Sequence, residues 1–354
     1  MTLPPDADDD LGADDGYAPA EGSAFDLEEE RIVSEVIRRG ARLVGLQLPE
    51  GLKRHAARLS GLIEARTGAV VVVSGDPCYG ACDLAEDSLG ALGVDLVVHV
   101  GHTELGDVTP RLPTVYVAAR SRADPTRSIR EAIPLLPPGG RVGLLATAQH
   151  REAIDVASRL LREAGMEPIV GRGGRRLAFP GQVLGCDLSA ARAVARDAGA
   201  FLVIGGGDFH AIGVMLATGR PVVIADVEMG RARTTLGLLD RAQRRRAAAI
   251  ARARDARVLG VIVGGKPGQR RWELALRLRQ QIVAAGRQAV MLSVRELSPD
   301  RLLQLGLDAY VSTACPRIAV DDSDAYPRPV LTPQELRVLL GLEPWEGHAL
   351  DEMD

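Results

Sequence analysis

From residue 30 onward the chain alternates short runs of Val, Ile and Leu with stretches of helical periodicity, and the alternation recurs three times. The apolar runs are Arg42–Gln47, Ala69–Ser74, Asp95–Val100, Thr114–Ala118, Arg141–Ala146, Phe201–Ile204, Pro221–Ala225, Val258–Val263, Ala289–Leu292 and Ala309–Val311. Apolar spacing predicts helices over 51–66, 151–164 and 271–285. Near-continuous β-branched runs separated by helices predict parallel strands covered on both faces, since a one-sided sheet would alternate apolar with polar residues. The run 69–74 (AVVVVS) reads as a fully buried strand. The expected fold class is α/β. Similar opening strands start near 42, 141 and 257, and each unit ends in a strand running into an unusual loop: HVGH at 99–102, GGGDFH at 205–210 and STACPR at 312–317. This recurrence predicts three similar parallel-sheet domains, over 30–119, 120–225 and 226–340. Loops at the carboxyl ends of parallel strands line the ligand crevice, so three such domains around one axis would turn these loops into a shared central cavity.

Charge is distributed unevenly. The 354 residues carry 43 basic and 47 acidic side chains, a net charge of −4. Eleven of the acids fall in residues 1–30 and five in 341–354, and neither segment has a Lys or Arg, so the body between them is about +12. Such acidic ends are expected to be disordered, as a tail over 1–29 and another over 341–354, because they cannot bury enough apolar surface to fold. The basic body reads as ordinary solvation, and the Arg-rich helix 241–254 as a solvated face. Aromatics are 3% of the chain, too few for stacking platforms that bind single-stranded nucleic acid. With no membrane-length apolar run and no positive-then-apolar leader, the expected location is the cytoplasm, with no membrane partner.

Four cysteines in such a chain are not a disulfide scaffold. Cys78 and Cys82 lie in SGDPCYGACDLAED, after an apolar run and ahead of a helix expected from about Leu84. A thiol at a helix N-terminus is expected to have a depressed pKa. Cys186 lies in FPGQVLGCDLSAAR and Cys315 in STACPRIAVDD, so each proposed domain has a strand–turn–Cys setting. Buried cysteines would sit inside apolar runs, and these do not. Zinc would suit the Cys78–Cys82 pair, with Cys186 and Cys315 completing four thiolates, although structural zinc usually draws its ligands as two close pairs. Three lone thiolates, one per domain, suit an iron–sulfur cluster with one iron left open to substrate. The C-x3-C-x2-C run of ordinary radical enzymes is absent, because Ala85 stands at its third position. Cluster, zinc and inert thiols all remain open on spacing alone.

The segments LQLPEGL (46–52), GDPCYGACD (75–83), HVGHTEL (99–105), GQVLGC (181–186), GKPGQR (265–270) and ACPRIAVDD (314–322) stand in this order. Together they resemble the first-step enzymes of diphthamide biosynthesis, in particular the archaeal type of 2-(3-amino-3-carboxypropyl)histidine synthase, over about residues 30–340. The resemblance implies a homodimer whose three domains each give one cysteine to a 4Fe–4S cluster: Cys82 from YGAC, Cys186 from VLGC and Cys315 from ACPR. Cys78 is then a neighbour, not a ligand. It also implies a noncanonical radical reaction. An electron from the reduced cluster would break the bond between sulfur and Cγ in S-adenosylmethionine, and the 3-amino-3-carboxypropyl radical would add to a histidine of translation elongation factor 2. An electron donor, as yet unidentified, is implied as well. No catalytic residue beyond the cluster ligands is singled out.

The remaining loops supply candidates for the cofactor pocket. Gly205, Gly206, Gly207 and Asp208 follow a strand and would let a nucleoside approach closely. Lys266 and Gln269 stand in a loop that lacks the phosphate-binding order G-x-x-x-x-G-K-[ST] but matches the family, with Gln269 the stronger cofactor candidate. Gln47, Glu50, His99, His102 and His210 occupy analogous strand-end loops, although a lone histidine is more often structural. Two other readings compete: a quinolinate-synthase-like 4Fe–4S dehydratase, which would need neither S-adenosylmethionine nor a protein substrate, and a non-catalytic partner subunit that relays electrons.

Overall fold

The structure, a computed structural model, describes residues 24–321, 325–345 and 351–353. Three sheets follow one another along the chain, as an α/β chain with a threefold recurrence should produce. The first contains β2 (Leu43–Gln47), β3 (Val70–Val73), β4 (Leu96–Val100) and β5 (Thr114–Val117), in the spatial order β3-β2-β4-β5. Ahead of it a short β1 (Phe25–Asp26) pairs antiparallel with β6 (Arg120–Ser121). The second sheet contains β7 (Arg141–Ala146), β8 (Glu167–Ile169), β9 (Ala200–Ile204), β10 (Val222–Asp226) and β11 (Arg231–Thr234), in the order β8-β7-β9-β10-β11. The third contains β12 (Val258–Gly264), β13 (Gln288–Val294), β14 (Ala309–Ser312) and β15 (Val330–Leu331), in the order β13-β12-β14-β15. Every pairing within these three sheets is parallel except β10 with β11.

Each sheet therefore has one topology. Its first strand is central, its second lies on one side, and its third and fourth lie on the other. The strand order reverses between the first and third strands, and that switch point is where parallel sheets open a crevice at their carboxyl ends. Because β11 belongs to the second sheet, that sheet runs past the boundary expected at 225–226.

Both faces of each sheet are covered, which explains the unbroken apolar strands. In the first sheet Val44, Leu46, Leu96, Val98 and Val100 enter one core, while Val97 faces Leu89 and Val94 on the other. The second sheet sends Leu144 and Leu202 to one side and Leu145, Phe201 and Val203 to the other. In the third, Leu259, Val261 and Val311 oppose Ile262 and Tyr310. No helix among the described residues is long and apolar enough to cross a membrane.

Three expectations need correction. The run 69–74 is not fully buried: β3 is an edge strand, with Val70 58% and Val73 38% exposed. Valine is there for its fit to a pleated strand as well as for burial. The helix Leu238–Arg252 is not wholly a solvated face, because Arg246 lies in the core at 1% exposure. The acidic ends are ordered where they are described. Residues 25–26 form β1, Leu27 is buried, and a helix runs from Glu29 to Arg39; residues 1–23 lie outside the described residues. At the other end, Met353 is buried and Asp351 and Glu352 are paired with arginines. Averaged charge predicts disorder, but local pairing with opposite charge overrides it.

Candidate metal centre and its cavities

Cys82, Cys186 and Cys315 all sit on carboxyl-end loops, although not on equivalent ones. Cys82 lies in the crossover from the second to the third strand of its sheet, between β3 and β4, and Cys186 lies in the same crossover between β8 and β9. Cys315 instead follows the third strand, β14, at the start of the helix Pro316–Val320. The Cys186 turn is closed by the bridge between Leu184 and Asp187, and Gln182 is bridged to Ala146 at the end of β7. The helix after Cys82 starts at Glu86, two residues beyond the expected position.

The three thiols converge. Cys315 feels the charge of Cys82 and Cys186, and Cys186 that of Cys82. The expected depressed pKa values are not found. Burial pushes Cys315 up to about 12 and Cys186 up to about 11, and it raises Cys82 as well. Desolvation of the anion outweighs what one short helix end supplies, so these thiols ionise only with a cation beside them. Among the described residues, a different trio, Cys78, His99 and His102, has all its ligand atoms within 4.8 Å of one another. The sulfurs of Cys82, Cys186 and Cys315 do not all lie within 4.8 Å of one another, a looser grouping than the tetrahedron of a single zinc ion. That spread and the all-thiol donor set fit a cluster.

Around these thiols stand residues from all three sheets. Gln269 Nε2 donates to the Cys82 sulfur at 3.3 Å, and Gly268 N–H to the Cys82 carbonyl at 2.9 Å. A Cβ on Gly268 would lie 2.6 Å from Cys82 Cα, so only glycine permits this approach. Gln269, Lys266, Cys82 and Cys315 line one cavity of about 170 Å³, together with Tyr79 and Arg317. Lys266 Nζ bonds Asp83 at 2.8 Å and Glu296 at 2.7 Å and lies 4.3 Å from the Tyr79 ring centre. It thereby ties the Cys82 loop to the loop after β13. Burial disfavours the Lys266 charge, but its two carboxylates more than compensate and raise its pKa.

Arg176 was not legible in the sequence and proves central. It is 5% exposed, pairs with Asp107, donates to the Gly268 carbonyl at 3.0 Å, and its charge favours the thiolate of Cys186. One guanidinium thus joins loops of all three sheets, and its Nε is buried with no acceptor among the described residues. The only sequence signal was an Arg-Arg pair in a Gly-rich stretch, which reads as solvated. The acidic C-terminus was missed as well. Asp351 pairs with Arg271, Glu352 pairs with Arg192 and accepts from Leu188 N–H at 2.9 Å, and Met353 N–H donates to the Cys186 carbonyl at 2.8 Å.

Other candidates are placed elsewhere. Gly206, Gly207, Asp208 and His210 line a second cavity of about 840 Å³ with Arg241, Arg244 and Arg317. Arg317 borders both cavities. Asp208 is held by Arg233 at 2.6 Å. Gly205 takes φ +140° and sits under Thr147 and His150, so its role is the backbone turn. Gln47 is buried and braces the Cys82 loop: Nε2 donates to the Asp83 carbonyl at 2.7 Å, and Oε1 accepts from Ala85 N–H at 3.2 Å. Glu50 is exposed and pairs with Lys53. His99 and His102 lie beside Cys78.

Comparison with known proteins agrees with this architecture. Residues 48–350 match the model of the diphthamide synthesis protein family. The 2-(3-amino-3-carboxypropyl)histidine synthase of Pyrococcus horikoshii is 36% identical, covering 93% of this chain and 94% of that protein. Subunit 1 of the synthase from Gallus gallus is 32% identical over 92% of this chain and 79% of that one. The crystal structure of Dph2 from P. horikoshii with a 4Fe–4S cluster superposes with a TM-score of 0.85, at 34% identity over 93% of this chain and 94% of the other. By sequence and by fold, the chain belongs to the diphthamide synthesis protein family.

Proposed function

We propose that this protein transfers the 3-amino-3-carboxypropyl group of S-adenosylmethionine to a histidine of translation elongation factor 2. The observation that carries the proposal is the convergence of Cys82, Cys186 and Cys315 from three sheets, in a chain that matches a named synthase along nearly its whole length. In this reading the three sulfurs hold a 4Fe–4S cluster. When bound, the cluster supplies one electron and an open iron position, so that the sulfur–Cγ bond of S-adenosylmethionine breaks.

The chain's own residues supply charge and position. Arg176 offsets the negative charge of the thiolates, while Gln269 hydrogen-bonds one of them; such contacts set ligand basicity and potential. The cavity bordered by Cys82, Cys315 and Gln269 receives the methionine end. The nucleoside lies along Gly206–Asp208, a placement supported by the shared wall at Arg317. One domain per sheet, a homodimer, an external electron donor and a cytoplasmic location belong to the same proposal and rest on the resemblance.

Anaerobic purification, reduction with S-adenosylmethionine present, and chromatography of the nucleoside product test it. Methylthioadenosine is expected. 5′-Deoxyadenosine would mean cleavage of the other bond and would overturn the reading. No cleavage by a fully loaded cluster would favour an electron-relay subunit.

A further inference from the structure

Cys78 is the one cysteine the proposed function does not use, and it is the most buried of the four. Its sulfur, a ring nitrogen of His99 and a ring nitrogen of His102 all lie within 4.8 Å of one another. We infer that Cys78, His99 and His102 form a second metal site, separate from the Cys82–Cys186–Cys315 trio, that takes a zinc ion.

The hydrogen bonds prepare this site. The Gln47 side chain is oriented by its two backbone contacts, so its Oε1 is the atom that faces His99 Nδ1, at 2.9 Å. An acceptor there requires Nδ1 of His99 to carry the proton. His99 Nε2 is therefore a bare lone pair, and it points at His102 Nδ1, 3.1 Å away. A histidine whose far N–H is fixed by an amide carbonyl has the outer contact that metal-bound histidines characteristically show. Bond lengths of about 2.0–2.1 Å to nitrogen and 2.3 Å to sulfur place tetrahedral ligand atoms roughly 3.3–3.7 Å apart. The two ring nitrogens are close to that separation already, and the sulfur lies within 4.8 Å of a ring nitrogen of each histidine.

Burial first, and the Asp83 charge second, push the free Cys78 thiol up to about 12, so the sulfur becomes a thiolate only when a cation sits against it, as metal binding would provide. A thiolate with two imidazoles is a donor set that zinc favours over the oxygen-seeking cations. His102 also borders a cavity of about 710 Å³ with Thr103, Glu104 and Tyr116. Tyr116 meets His99 edge-on and buries a hydroxyl with no partner among the described residues. Three protein ligands leave a fourth position for water on that side. On binding, Cys78 gives up its proton to solvent and His102 moves its proton from Nδ1 to Nε2, so one proton is released per zinc. The site clamps the Cys82 loop to the end of β4.

The test is metal analysis of the iron-loaded, full-length protein, with cobalt(II) as a spectroscopic substitute for zinc. One zinc per chain beyond the iron is expected, and cobalt should give a thiolate charge-transfer band with tetrahedral d–d bands. Cys78→Ala and His102→Ala should each lose the zinc and keep the iron, whereas Cys186→Ala should lose the iron and keep the zinc. Should a variant fail to fold, the cobalt spectrum of the unaltered protein decides. Absence of stoichiometric zinc or cobalt uptake would overturn the inference, as would zinc retained by Cys78→Ala. Iron lost from Cys78→Ala would also overturn it, by placing Cys78 in the cluster. Iron retained by Cys186→Ala would instead count against the proposed function and leave this site standing.

Discussion

Arg246 and Arg176 are both buried arginines paired with a carboxylate, yet the two regions they hold differ in kind. Arg246 is sealed in the third sheet's core. Its Nε reaches Glu335 at 2.7 Å, Nη2 reaches the Val330 carbonyl at 2.8 Å, and Nη1 reaches the Ala319 carbonyl. Glu335 in turn completes a capping box with Thr332 at the start of the helix Pro333–Leu339. Every donor nitrogen of that guanidinium is met within one structural unit. Arg176 spans three units, lends its charge to a thiol, and leaves its Nε unmatched. A buried charge that is fully satisfied maintains a fold. One left partly open, beside thiols that burial keeps protonated, marks the place where something else binds.

The largest expected effects separate the two regions outright. Cys82→Ala, Cys186→Ala and Cys315→Ala should each lose nearly all bound iron and all S-adenosylmethionine cleavage, as read by iron analysis and nucleoside chromatography. Iron content unchanged in any one of them would remove that residue from the ligand set. Next, Glu335→Ala should cost about 3–5 kcal/mol of stability by leaving the Arg246 charge buried without its partner. Its iron content per folded chain should stay normal, and a denaturation midpoint close to that of the unaltered protein would show that the core does not depend on this pair.

Arg176→Met sharpens the contrast from the other side. It should lower stability less than Glu335→Ala, because Asp107 keeps some access to water, while reducing iron occupancy and shifting the cluster potential. Arg176→Lys should restore the charge but not the three-way bridge. Loss of stability with no change in iron or potential would assign Arg176 to the fold alone.

A smaller effect should appear with pH. Burial first, and the nearby Arg317 charge second, lower His210 to about 4 from its ordinary 6.5. The unfolded chain then binds this proton more readily than the folded one. The stability contribution is fully present above about pH 6.5 and is lost as pH falls towards 4. Thermal unfolding across that window should show the decline, and His210→Gln should flatten it. An unchanged slope would mean the histidine is not held neutral. Smallest of all, Glu50→Ala removes only an exposed pair with Lys53 and should change stability by less than about 0.5 kcal/mol, with iron unaffected.

What the sequence by itself determined was the chemistry that local pattern carries. Unbroken Val and Ile runs pointed to parallel sheets, because strands covered on both faces need them, and the recurrence of those runs announced three alike. Glycine turns beside Cys82 and Cys186, and the proline after Cys315, marked the thiols as something other than core. Tertiary structure alone decided which residues meet. Arg176 reaches Asp107 and Gly268 across loops far apart in the chain, and no local pattern distinguishes it from the solvated arginines around it. The acids at 351–352 read as solvating tail until Arg271 and Arg192 are placed beside them. Gln47, Cys78, His99 and His102 become one cluster only once β2 and β4 lie side by side. Backbone preference and burial periodicity act over a few neighbouring residues and can be read from them. Ion pairing and metal geometry act through space, and only the packed chain brings their partners within reach.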